Sequence, residues 1–168
     1  MTLSEQLLPE FDAEMASTRK MLAVVPDGKF DWKPHPKSMS LGRLATHVAE
    51  LPGWGKTTLE IDQLNMTKDN WKPNTAETTA DLLAMLDKNV AETRALLVQA
   101  SDEKMLSNWS MTFDGKPIMN GKKIEIFRGT VLNHMIHHRG QLSVFLRLLE
   151  VEIPGMYGPS ADEMKFWT

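Results

Sequence analysis

The chain has 168 residues, 42% hydrophobic and 24% charged, with a formal net charge of −3, which is room for one sizeable core and leads us to expect a single domain over residues 1–168. No long basic run is present to drive binding to a nucleic-acid backbone. No apolar stretch approaches the ~20 residues of a membrane span, and acids stand where a signal peptide would be basic, so a cytoplasmic location is expected.

The residues Leu8, Phe11, Met15, Thr18, Leu22 and Val25 step by three and four, so a first helix is expected from Leu7 to Val25, with Pro9 in its opening turn. Pro26-Asp27-Gly28 ends it. The proline-flanked KFDWKPHPKSMS reads as an extended return segment, with His35 solvated in it and Ser40 as the N-cap of the second helix. That helix carries Leu41, Leu44, His47, Val48, Leu51 and Trp54 on or beside one stripe. Pro52 should kink or end it one turn past His47, with Thr57 to Leu64 continuing at a new angle. A polar loop around Trp71 to Asn74 follows.

Thr78 and Asp81 have capping-box spacing, and Leu82, Leu86, Val90, Thr93 and Leu97 mark a third helix ending near Ala100, with one further turn at Asp102 to Met105. In the next stretch Trp109, Met111 and Phe113 alternate with polar residues, and Asp114-Gly115 and Asn120-Gly121 are turn signals. A small hairpin or extended arm is therefore expected within a long connection. A fourth helix should run from about Ile124 to Leu149, tolerate Gly129 and Gly140, and close at Pro154-Gly155; the tail with Tyr157 should pack over one end. The fold class expected is all-α, a four-helix bundle with a long crossover between helices three and four.

Within the fourth helix, Phe127, Val131, His134, His138, Gln141, Phe145 and Leu148 alternate steps of four and three, the spacing of a buried seam. Two imidazoles thus stand where aliphatic residues belong. At i and i+4 their Cβ atoms lie ~5–6 Å apart, so His134 and His138 can close on one metal ion, whereas His137 projects from another face. His47, three residues after Leu44 and four before Leu51, can face them from the second helix. Taken singly, each histidine also reads as a hydrogen-bonded core residue; three on converging faces favour a shared ion.

With no cysteine, any ion rests on nitrogen and oxygen ligands, and the twelve scattered methionines read as core filling rather than a copper site. Three imidazoles leave a tetrahedral ion one open position, as in catalytic zinc sites. Glu50 and Gln141, one turn past His47 and His138, either orient a ligand or are ordinary polar positions at the seam edge. Trp32, Trp54 and Tyr157 either wall a pocket or pack. No Ser-His-Asp pattern or phosphate loop is visible, and Met135 after His134 rules out an HExxH motif.

The runs DWKPHPKSMSLGRLATHVAELPGW, VLNHMIHHRGQLSVFLR and PGMYGPSADE, in this order, resemble the DinB/YfiT family of metal-binding four-helix bundles. The resemblance covers nearly the whole chain. It implies an up-down-down-up bundle, a metal held by His47, His134 and His138 with His137 left out, and a homodimer. Members hold zinc, nickel or iron, and related branches resemble thiol-dependent S-transferases or maleylpyruvate isomerases. The expectation is a protein with one divalent metal ion that activates a low-molecular-weight thiol, or water, against a small electrophile. The alternative is a non-catalytic bundle that binds a metal or small ligand.

Overall fold

The computed structural model describes residues 1–166 and is mostly helical, with a small three-stranded sheet. The all-α expectation is corrected by that sheet. The first helix, α1 (Leu3–Leu22), starts a turn earlier than the apolar stepping suggests. Thr2 and Glu5 form a capping box, in which the Glu5 amide donates to the Thr2 hydroxyl at 3.2 Å and the Thr2 amide to the Glu5 carboxylate at 2.7 Å. Pro9 therefore lies inside the helix, on its exposed side.

Helix α2 (Leu41–Glu60) is capped by the Ser40 hydroxyl, and it runs on through Pro52 instead of ending there. The reason is a side-chain insertion from α3 (Thr79–Gln99). The Thr93 hydroxyl donates to the Pro52 carbonyl at 2.7 Å and accepts from the Lys56 amide at 3.1 Å, standing between a carbonyl and an amide that a regular helix would join. The Asn89 side chain donates to the Ala49 carbonyl one turn earlier. Close approach makes Gly55 obligatory, because a Cβ there would meet Thr93 at 2.5 Å and Phe127 at 2.8 Å.

At Glu60 α2 stops, so its expected continuation to Leu64 is corrected. Lys123, 1% exposed, donates to the carbonyls of Thr58 and Ile61 at 2.8 and 2.6 Å and pairs with Asp62, a cationic cap on the helix C-terminus. The chain turns extended into β1 (Gln63–Met66). After the short α4 (Asp102–Leu106) come β2 (Asn108–Phe113) and β3 (Lys116–Lys122), with strand order β1-β2-β3. β1 is parallel to β2, Gln63 facing Ser110. β2 and β3 form the expected hairpin, closed by Asp114 and Gly115 with φ of 46° and 75°, the double positive φ of a type I′ turn.

The last long helical stretch is composite: α5 (Lys123–Phe127), a π-helical segment Arg128–Asn133, and α6 (His134–Leu148). The wider π winding shifts the helix by one residue, so the seam changes register. Lys123 and Phe127 are buried before it, Val131 and Leu132 within it, and Met135, Arg139, Leu142 and Leu146 beyond it, while Leu148 is 58% exposed. This corrects the regular seam through His134, His138 and Gln141. The two histidines lie beside the core at its half-buried edge. Their neighbours Met135 and Leu142 pack with Phe11, Met15, Leu44, Val48, Leu51 and Leu86 in one apolar cluster drawn from α1, α2, α3 and α6.

Arg139 occupies a core position with 2% exposure. Its guanidinium donates to the Glu14 carbonyl at 3.1 Å, the Thr18 hydroxyl at 3.0 Å and the Tyr157 hydroxyl at 2.9 Å, and it pairs with the Glu14 carboxylate at 2.7 Å. The Tyr157 hydroxyl in turn donates to Glu14 at 2.9 Å, which fastens the tail to α1 and α6. This tail is described only to residue 166; Trp167 and Thr168 lie outside the described residues.

Candidate metal centre

Helix α2 presents His47, and α6 presents His134 and His138 one turn apart. Their ring nitrogens converge: Nε2 of His134 is 3.4 Å from Nε2 of His47 and 2.9 Å from Nε2 of His138. One potential ligand atom from each ring lies within 4.8 Å of the others, so the trio could hold a metal ion. The donor set fits one. An ion ~2.0–2.1 Å from three imidazoles in tetrahedral geometry sets their nitrogens roughly 3.3 Å apart, close to what the rings already show.

The opposite ring edges explain why those lone pairs point inward. His47 Nδ1 is 2.7 Å from Glu50 Oε1; a carboxylate only accepts, so Nδ1 carries the hydrogen, the tautomer that in a neutral ring turns the Nε2 lone pair inward. His138 Nδ1 donates to Gln141 Oε1 at 2.7 Å, with the same result. His134 is set by the π segment. Its backbone amide donates to Gly129 and Val131, bypassing the Thr130 carbonyl that a regular helix would use, and the Thr130 backbone hydrogen-bonds the His134 ring instead. Each ring thus has one nitrogen occupied by the protein and one turned toward the common point.

Glu50 is itself held. Its Oε1 also accepts from Arg43, its Oε2 accepts from Asn74 at 3.0 Å, and Arg43 donates to the Asn74 carbonyl at 2.9 Å. Burial pushes the Glu50 carboxyl up, but the hydrogen bonds from His47, Arg43 and Asn74 outweigh it and hold the pKa below the usual value, leaving the group ionised. His134 is pushed down to about 4, first by burial and then by His138, His47 and His137, against the opposing Thr130 bond. Burial also lowers His138. Near neutral pH both α6 rings are therefore uncharged, the form a metal requires.

Of the other candidates, Trp54 lines a cavity of about 510 Å³ that borders His47, Glu50 and Arg43. Tyr157 is elsewhere, on the Arg139–Glu14 pair. Trp32 packs edge-on against Phe145 at 5.7 Å. His137 is exposed with its ring centroid 4.9 Å from that of His138, and His35 accepts from the Lys37 amide in an exposed turn. Arg43 and Asn74 were not singled out from sequence. Arg43 had a signal, since Arg43, His47 and Glu50 share a helix face at i, i+4 and i+7; Asn74, brought by a loop, had none.

A profile described as the DinB family matches residues 1–167. The chain belongs to the DinB family. A DinB-like protein of Bacillus cereus, 27% identical, superposes with a TM-score of 0.69 over 93% of this chain and 98% of that one. The DinB-like YjoA of Bacillus subtilis, 19% identical, superposes with a TM-score of 0.69 over 90% and 97%, which shows the shared fold alone. By sequence the chain is 25% identical to YrdA of Bacillus subtilis over 159 residues, 95% of this chain and 90% of that one. The DinB likeness thus spans almost the full length, including both helices that bring the histidines together.

Proposed function

We propose that this DinB chain is a metal-dependent enzyme on a four-helix bundle, and that it activates a low-molecular-weight thiol, or else water, for attack on a small electrophile. The observation that carries the reading is the convergence of three imidazole nitrogens with no fourth histidine or carboxylate joining them among the described residues. A divalent ion such as zinc, nickel or iron at that point would lower the pKa of a thiol or water and supply a nucleophile near neutral pH.

The chain's own residues prepare the ground. Glu50, Thr130 and Gln141 fix the three rings and hold their hydrogens on the outer nitrogens. Burial of His134 and His138 keeps both rings neutral. Arg43 offsets the Glu50 charge, so this carboxylate orients His47 without drawing a proton from solvent. The family likeness extends the proposal to a cytoplasmic homodimer.

Elemental analysis of tag-free protein comes first, followed by rates of thiol addition to a model electrophile with loaded and chelated protein. Metal-dependent acceleration abolished in His134→Ala is expected. Loaded wild-type rates equal to those of His134→Ala, across several thiols and in ester hydrolysis, would reject catalysis. If chelation then lowered the melting temperature without touching any rate, a structural metal would be the better reading.

A further inference from the structure

The cavity beside the metal centre has an uneven inventory of unused groups. It lies between α2 and the segment that follows β1, and it borders His47, Glu50 and Arg43. Its volume, about 510 Å³, suits a ligand of drug-like size. Most of its charged and amide groups are already engaged. Glu50 accepts from His47, Arg43 and Asn74, and Arg43 donates to Glu50 and to the Asn74 carbonyl. The Asn89 amide donates to Ala49, and that of Asn70 to the Asn65 carbonyl.

What remains is largely apolar and aromatic. Trp54 and Trp71 both line the cavity, and neither indole stacks on another aromatic ring or donates its N–H among the described residues. Trp71 is 47% exposed, a large flat surface left uncovered. Leu64, Met66 and Pro73 complete the apolar wall. Unlike Arg43, Lys72 has no acidic partner among the described residues, and it stands exposed, where water solvates its ammonium group.

We propose that this cavity is the binding site for the electrophilic substrate, and that this substrate is a flat, uncharged aromatic molecule with a carbonyl-like acceptor, held by the faces and N–H groups of Trp54 and Trp71. This rests on the functional reading above and gives it a substrate class. An anionic ligand would need a free cation shielded from water, and the half-buried one in the cavity, Arg43, is already bound to Glu50. A neutral ring needs only to displace water from the two indoles, and aromatic contacts of this kind are favourable beyond the area they bury. Of the three histidines only His47 borders the cavity; neither His134 nor His138 lines it.

The test is equilibrium binding of a matched pair, 2-naphthamide and 2-naphthoate, to the full metal-loaded chain, read by calorimetry and by the indole N–H resonances of Trp54 and Trp71. The amide should bind at least tenfold more tightly than the carboxylate, shift both indole signals, and lose tenfold or more in affinity in Trp71→Ala. Lys72→Gln should leave it unchanged. Trp54 is half-buried and its loss could disturb the fold, so the exposed Trp71 and the wild-type resonances decide. Tighter binding of naphthoate with dependence on Lys72, binding that leaves both indoles unmoved, or no binding of either compound would overturn the proposal. Amide binding without metal-dependent thiol chemistry would sink the catalytic reading and leave the cavity assignment standing.

Discussion

At the scale of single residues, the metal centre depends on which nitrogen of each ring carries its hydrogen. Removing the group that orients a ligand imidazole typically lowers metal affinity by ~10–100-fold. Glu50→Gln should therefore weaken metal binding to that extent in a competition titration with a chromogenic chelator, with little change in helix content. His134 makes a second prediction. Its pKa in the folded chain is about 4, below the ordinary 6.5. Above pH 6.5 the ring is neutral in both states and costs nothing. As pH falls from about 6.5 toward 4 the unfolded chain takes up the proton first, so stability is lost across that window. The urea midpoint of chelated protein should fall over this range, and His134→Gln should flatten the fall between pH 6.5 and 5. The spacing of His47, His134 and His138 made this trio legible in the sequence. Thr130 was not legible, because its role exists only where the helix winds in the π form.

At the scale of elements, the buried groups that break the apolar pattern connect helices rather than stabilise any one of them. Arg139 lies off the seam that the sequence spacing marks and enters the core only through the shifted register, where Glu14, Thr18 and Tyr157 surround it. Breaking such a pair strands the other charge. Arg139→Leu should cost roughly 3–5 kcal/mol in denaturant unfolding, whereas Tyr157→Phe, which leaves the ion pair whole, should cost about 1 kcal/mol. β1 escaped the sequence reading for a related reason. QLNM is short, and its parallel partner lies more than forty positions along the chain, so nothing local announces it. The hairpin was legible because Asp114-Gly115 is a local instruction.

Across the whole molecule, the candidate centre joins α2 to α6, two segments far apart in sequence that otherwise meet through apolar packing. A ligand bound only by the folded chain adds about 2.7 kcal/mol when its free concentration is a hundredfold above Kd. Chelation should thus lower the melting temperature by several degrees, measurable by calorimetry, and His47→Ala should remove the difference between loaded and chelated protein. The helix order, the caps at Ser40 and Thr78 and the histidine trio were readable in advance, since each rests on spacing along one helix or on a local cap. The shifted seam of α6 was not, because a 3.6-residue period assumes uniform winding.

That change of winding between Arg128 and Asn133 has a temporal side. A π turn is a less common way to close helical hydrogen bonds, and here it sits between a stretch docked in the core and one that presents two imidazoles. The hydrogen bond between the Thr130 backbone and the His134 ring ties this segment to the candidate metal centre. In hydrogen-exchange mass spectrometry its amides should exchange faster than those of Leu142 to Leu146 in chelated protein, and slow markedly once an ion fixes the His134 ring. Occupancy of the centre would then be recorded in the breathing of a backbone stretch that contributes no ligand of its own.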